Sequence, residues 1–197
     1  MLKYVYGIKN IESKANEINF SLSCDSFFQV NTLTKDLLYD FVKTTIENFS
    51  TEFLIDCFSG VGLLSATLYD PKYETHAIEI EPSAVNDANT MKKRNNLDKL
   101  FNHCGDVTQV LPEILQGRKE KTTLVVDPPR KGLNKTIIDC ICQNNVNNVV
   151  YVSCDSATLA RDVKQFVENG FEMNKVKCYD LFPHTTHVET IVCLRKQ

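Results

Sequence analysis

Val149-Val150-Tyr151-Val152-Ser153-Cys154-Asp155-Ser156-Ala157-Thr158-Leu159 opens as an apolar, β-branched run and stops at Ser153-Cys154, just where Asp155, Ser156 and Ala157 offer a helix start. This is the pattern of a buried strand feeding a helix, and it sets a thiol at the junction. A helix N-terminus carries partial positive charge and unpaired amides, so it favours thiolate over thiol and makes Cys154 a candidate nucleophile. The competing role is the commoner one for a free cysteine, that of a small buried hydrophobe.

The same figure recurs upstream. Phe53-Leu54-Ile55-Asp56 reads as a buried strand, and Asp56-Cys57-Phe58-Ser59-Gly60-Val61-Gly62-Leu63-Leu64 as a glycine-containing turn opening a helix. Thr75 to Glu79, Phe101 to Asp106 and Thr123 to Val126 read as further strands, with helical spacing over 32–49, 82–95, 134–144 and 157–169. Strand patterns return at Phe171 to Tyr179 and His187 to Leu194. Alternation of strand and helix predicts an α/β fold. Ile18 to Leu22 and Phe27 to Asn31 are strand-like, whereas residues 1 to 17 are mixed and polar and read as a loose lead-in. The expected division is a lead-in over 1–30 and one domain over 31–197.

At 197 residues the chain supports one sizeable core, and its net charge of -3 argues against holding nucleic acid through bulk charge alone. The eight cysteines sit singly in apolar segments apart from Cys140-Ile141-Cys142, no signal peptide is legible, and no apolar run reaches the roughly 18 residues of a membrane span. The expectations are an intracellular, reducing compartment, no membrane and no metal.

Four strand ends carry candidate ligand groups. Gly60 and Gly62 let the backbone approach a cofactor closely, although a plain strand-to-helix turn has the same sequence and the third glycine of a dinucleotide fingerprint is missing. Glu79, with Glu81 as the alternative, lies roughly 20 residues further on, where α/β cofactor sites place a carboxylate for ribose hydroxyls. Asp106 either accepts from an adenine amino group or caps the next helix. Asp127-Pro128-Pro129-Arg130-Lys131-Gly132 holds a carboxylate rigidly at a cleft edge, with Arg130 and Lys131 suited to a phosphate backbone. Glu189, at the entry to the last strand, has the surface charge as its ordinary reading.

Together with Phe27-Phe28-Gln29-Val30-Asn31, Tyr151-Val152-Ser153-Cys154, Ala157-Thr158-Leu159-Ala160-Arg161-Asp162 and Asp180-Leu181-Phe182-Pro183-His184-Thr185-Thr186-His187-Val188-Glu189, these motifs resemble the catalytic domain of the S-adenosylmethionine-dependent RNA uracil-5-methyltransferases. They run in the family's order over residues 20 to 195. The resemblance implies a Rossmann-like class I methyltransferase sheet of seven strands flanked by helices, with an antiparallel last strand. It implies Cys154 as nucleophile, Glu189 as base, and S-adenosyl-L-methionine contacts from Gln29, Phe58, Gly60, Glu79, Asp106 and Asp127. The implied partner is RNA, a tRNA uridine first and ribosomal RNA second, with the target base flipped out and stacked on Phe28 or Phe182.

Two positions depart from the family pattern. Asp155-Ser156 stands where many members have Asn-Pro, which sets a carboxylate beside the thiol and is expected to raise its pKa. Leu63 stands where several relatives place a cofactor-touching asparagine. The family's usual N-terminal RNA-binding domain and inserted region have no counterpart here, so the chain reads as a catalytic-domain fragment or a minimal form. Three other readings stand beside this one: a non-catalytic RNA-binding relative, an amino-group methyltransferase using Asp127-Pro128-Pro129, and a nicotinamide dehydrogenase.

Overall fold

The computed structural model describes residues 10–15, 17–23 and 31–197. In chain order its elements are β1 (Asn10–Ala15), β2 (Ile18–Ser23), α1 (Thr32–Glu47), β3 (Phe53–Cys57), α2 (Leu63–Thr67), β4 (Glu74–Glu79), α3 (Pro82–Arg94), β5 (Leu100–Cys104), α4 (Val107–Leu115), β6 (Thr122–Val126), α5 (Lys135–Gln143), β7 (Val146–Ser153), α6 (Ser156–Glu168), β8 (Phe171–Tyr179) and β9 (Glu189–Lys196). Seven strands make one sheet in the order β5-β4-β3-β6-β7-β9-β8. β3 to β7 pair in parallel, and β9 runs antiparallel to both β7 and β8.

Parallel neighbours need crossover connections, and here helices supply them and cover both faces of the sheet. On one face Ile55, Ile78, Leu124, Val149 and Tyr151 pack with Leu111 of α4, Ile138 and Ile141 of α5 and Phe166 of α6. On the other, Leu54, Val125, Val150 and Ile191 meet Leu38, Val42 and Ile46 of α1. Ala77 meets Ala84 and Met91 of α3. Strands covered on both faces need continuous apolar runs, which is why Val149 to Val152 show no polar alternation: all four are buried, each worth roughly 1.5–3 kcal/mol. The strand order reverses at the β3–β6 junction, so a crevice opens there beyond the strands' carboxyl ends.

One expectation is corrected. Residues 10–15, read as part of a loose lead-in, form β1 and pair antiparallel with β2, the strand read at Ile18 to Leu22. Phe20 is buried against Leu63, Ala84 and Met91. Asn95 accepts from the Asn19 N–H at 2.9 Å and returns a bond to its carbonyl at 2.7 Å, while Asp87 accepts from the Ser23 N–H at 2.9 Å. β1 hid its strand character because all but its last residue are exposed, which leaves no apolar alternation to read. Gln29 and Phe28 lie outside the described residues.

Candidate active site

The side-chain period of two along a strand determines what faces the crevice. Asp56 follows Leu54, and Cys154 follows Val150 and Val152, all on the face covered by α1. Asp127, one residue past the end of β6, continues the parity of Val125, and Glu79 that of Ala77. Ser153 pairs with Thr190 across the antiparallel β7–β9 ladder, so one step further Cys154 stands opposite Glu189. Five residues from five strands therefore converge on one side of one sheet end. Tyr39 of α1 lies over them: burial raises its hydroxyl pKa, with Asp127 and Asp56 adding to the effect.

The loop after β3 is shaped for close approach. Gly60 and Gly62 have φ of +55° and +75°, and a Cβ at Gly62 would lie 3.1 Å from that of Ala88. Phe58 takes φ +66° without glycine's freedom, a strained conformation of the kind found at ligand sites. Glu79 ties this loop to β4, its Oε2 accepting from the Gly60 N–H at 2.8 Å and its Oε1 from the Glu81 N–H at 2.9 Å. Glu81 itself caps α3. The two candidates are thus separated by position: Glu79 faces the crevice loop and Glu81 serves the helix.

Asp106 caps α4, with Oδ1 accepting from the Thr108 N–H at 2.8 Å and its hydroxyl at 2.6 Å. Those bonds hold its carboxyl below the usual range. Asp106 also lines a cavity of about 330 Å³ with Phe58, Thr108, Pro129 and Ile137, so the cap and the crevice wall are one residue. Ile80, next to Glu79, leaves an apolar side chain 63% exposed beside the crevice. Leu63 points away from the crevice, buried in the core with Phe20.

The other half of the crevice gathers buried and half-buried acids. Burial raises the Asp127 carboxyl well above its ordinary value, reinforced by Glu189 and Asp56. Burial alone pushes Glu189, 2% exposed, up to about 7. Asp56 is likewise pushed up to about 7 by burial, against the hydroxyl of Ser65 donating to it. Asp56 and Tyr39 were not singled out by the sequence. A carboxylate in the middle of an apolar strand was the signal for the first, and nothing in a helical repeat marks the second.

Cys154 is half-buried, and its thiol pKa is raised, first by burial and then by Glu189, with Arg130 pulling the other way. The thiolate-favouring helix start is therefore outweighed at this position. Asp155 is not the cause expected from its place beside the thiol. It caps α6 by accepting from the Thr158 N–H at 2.9 Å, and that bond holds its own carboxyl low. Phe182 is half-buried against the α1-side core and meets His187 edge-on with ring centroids 6.5 Å apart. No group of three or more His, Cys, Asp or Glu side chains suited to a metal ion occurs among the described residues, and no helix there is long and apolar enough to cross a membrane.

A seven-stranded sheet with one reversed strand, helices on both faces and ligand-shaped loops at the strand ends is the class I methyltransferase fold. A structure of Pyrococcus abyssi tRNA (uracil-54, C5)-methyltransferase in complex with S-adenosyl-L-homocysteine superimposes with a TM-score of 0.81 at 26% identity, over 96% of this chain and 45% of that one. The model of the tRNA (Uracil-5-)-methyltransferase family matches residues 2–197, and the chain belongs to that family. Uncharacterised RNA methyltransferases of Fusobacterium nucleatum and Bacillus cereus are 34% and 37% identical over 98% and 97% of the chain. The chain spans 42% of the length of each.

Proposed function

We propose that this domain transfers a methyl group from S-adenosyl-L-methionine to C5 of a uridine in RNA, most directly in tRNA, with Cys154 as nucleophile and Glu189 as base. The observation that carries this reading is a half-buried thiol one residue past the end of the β7–β9 ladder, level with a buried carboxylate that weighs on its ionisation. The amino-group and dehydrogenase alternatives give no role to that pair.

The crevice fits the cofactor chemically. S-adenosyl-L-methionine supplies an electrophilic methyl group on a sulfonium, and its ammonium adds a second positive charge. Asp56, Asp127 and Glu189 offer carboxyls that burial keeps short of a counter-charge. Gly60 and Phe58 would form the loop against it, Glu79 would take ribose hydroxyls, and Asp106 and the exposed Ile80 would hold the adenine. Gln29 completes the set implied by family resemblance.

C5 of uracil is a weak carbon nucleophile. Addition of the Cys154 thiolate at C6 forms a carbon–sulfur bond and moves the ring electrons to an enolate, so C5 becomes electron-rich and would take the methyl group from the sulfonium, whose sulfur–methyl bond breaks to leave S-adenosyl-L-homocysteine. Glu189 then takes the C5 proton, the electron pair re-forms the C5–C6 double bond, and the thiolate leaves. A carboxyl titrating near 7 suits this role because it both accepts and gives up a proton near neutrality. Ionisation of Cys154, its proton passing to solvent, is opposed by Glu189 and favoured by Arg130. Arg130 and Lys131, exposed at the rim, supply positive charge for RNA phosphates.

The test is denaturing electrophoresis after incubation with 5-fluorouridine-substituted tRNA and S-adenosyl-L-methionine. Fluorine at C5 does not leave as a proton, so a stable protein–RNA adduct is expected from the wild type and none from Cys154→Ala. Methyl transfer retained by Cys154→Ala would overturn the reading. Ribosomal RNA substituted in the same way decides between the two RNA classes.

A further inference from the structure

Three α6 side chains on one helical face, at Thr158, Arg161 and Asp162, bind the backbone of the loop that follows β6. The Thr158 hydroxyl donates to the Arg130 carbonyl at 3.0 Å. The Arg161 guanidinium donates to the carbonyls of Lys131 at 2.9 Å and Leu133 at 3.3 Å, and through Nε to Asp162 at 2.8 Å. Asp162 is fully buried, and its Oδ2 accepts from the Leu133 N–H and the Tyr151 hydroxyl, both at 2.8 Å. Gly132 sits inside this grip at φ +73°, where a Cβ would come within 2.5 Å of the Asp162 carboxylate and 2.7 Å of the Arg161 guanidinium. A spacing of i, i+3 and i+4 puts the three side chains on one helix face, which reaches Arg130, Lys131 and Leu133 of the loop.

This grip joins two catalytic parts that the chain holds far apart. Cys154 lies at the start of α6, and Arg130 lies in the gripped loop. Pro128-Pro129 stiffens the segment between β6 and Arg130, so Asp127 is set by its strand whereas Arg130 depends on the far end of the loop. We propose that Thr158, Arg161 and Asp162 are positioning residues that lock Arg130 against the start of α6 and thereby set the reactivity of Cys154. The proposal rests on the reading of Cys154 as nucleophile.

The sign follows from the groups facing the thiol. Glu189 on β9 and Asp127 on the β6 loop both disfavour the thiolate, and Arg130 favours it. Asp155, on the thiol's own side, is engaged with Thr158 and faces His187. Loosening the grip withdraws Arg130 and leaves the two acids in place, so the thiol becomes harder to ionise.

The experiment is the pH dependence of iodoacetamide labelling of Cys154 in the full chain, read by mass spectrometry of its peptide, with exposed Cys104 and Cys178 as internal references. Arg130→Gln provides the benchmark. Arg161→Gln and Thr158→Val are expected to move the Cys154 profile to higher pH in the same direction. Labelling at fixed pH should slow by about threefold, the effect of half a unit in thiol pKa. Combining Arg161→Gln with Arg130→Gln should slow labelling no further than Arg130→Gln alone, because both act through one charge. Arg161→Lys, which keeps a donor for the carbonyls, should restore most of the rate. A lowered melting temperature with an unmoved Cys154 profile would reduce the grip to a structural role, as would full additivity with Arg130→Gln. If Arg161→Gln fails to fold, Thr158→Val and Gly132→Ala carry the same expectation. Failure of the fluorouridine adduct in the wild type counts against the nucleophile and is read separately from this profile.

Discussion

The two halves of the strand-end crevice treat carboxylates in opposite ways. Around β4 and β5, Glu79, Glu81 and Asp106 accept hydrogen bonds from backbone N–H groups at loop or helix starts. For Asp106 those bonds lower the pKa. Around β6, β7 and β9, Asp127 and Glu189 are instead raised by burial, and Asp56 at the boundary between the halves behaves like them. Asp106, so bound, is held in its charged form, and carboxyls tied to fixed donors are suited to orienting a polar ligand. A buried acid lacking such donors waits for a cation or a proton. On the proposed function, the difference separates a holding half from a reacting half.

The contrast breaks most sharply at the reacting half. Cys154→Ser should lower methyl transfer by on the order of 10⁴-fold. Binding of S-adenosyl-L-homocysteine, followed by calorimetry, should remain within about twofold, since the thiol belongs to the other half. A comparable loss of both would dissolve the division.

Glu189→Gln should lower turnover by roughly 10²- to 10⁴-fold. Covalent protein–RNA adduct should accumulate with ordinary uridine substrate, because C5 would then hold its proton. The same variant tests the pH sign. The folded-state pKa of about 7 lies above the ordinary 4.5, so folding favours the protonated form. That contribution to stability is complete below the ordinary value and is lost as pH rises through 7. Cofactor-free wild type should therefore melt several degrees lower at pH 8 than at pH 5.5, and Glu189→Gln should narrow that gap. An unchanged gap would assign the pH dependence to Asp56 and Asp127.

At the holding half, Glu79→Ala should weaken S-adenosyl-L-homocysteine binding by roughly ten- to a hundredfold, the worth of a lost charged hydrogen bond. The smallest effect is expected at Asp155. Asp155→Asn keeps the helix cap and should change Cys154 labelling by less than about twofold, whereas Asp155→Ala removes the cap and should lower the melting temperature by a few degrees.

Legibility in the sequence divided along the same line. Glycines, strand-end acids and the Pro-Pro pair announce themselves because each answers a local backbone demand, so the strand-end places of Gly60, Glu79 and Asp127 were legible. Glu189 was not, since it pairs with Tyr179 of the distant β8; only family resemblance raised it above a surface charge. Asp155 misled for a related reason. Adjacency in sequence suggested a charge acting on the thiol, while the structure turns that carboxylate into the helix. β1 escaped because an exposed strand has no apolar period, and the grip of Arg161 and Asp162 on the β6 loop is visible only once two distant segments are brought together.

The reversed direction of β9 has a consequence for how this chain can vary. Because side chains alternate faces, Glu189 reaches Cys154 at one pairing register, and a slip of a single residue would send it to the opposite side of the sheet. Residues 180–188 lie outside the ladder, so insertions there leave the alignment intact. Within β9, one extra residue between Glu189 and Val192 would separate acid from thiol while leaving every functional residue in the sequence. The last hairpin thus works as a parity check: a chain with all the right letters but an odd shift in this strand would fold around a crevice without the carboxyl proposed as its base.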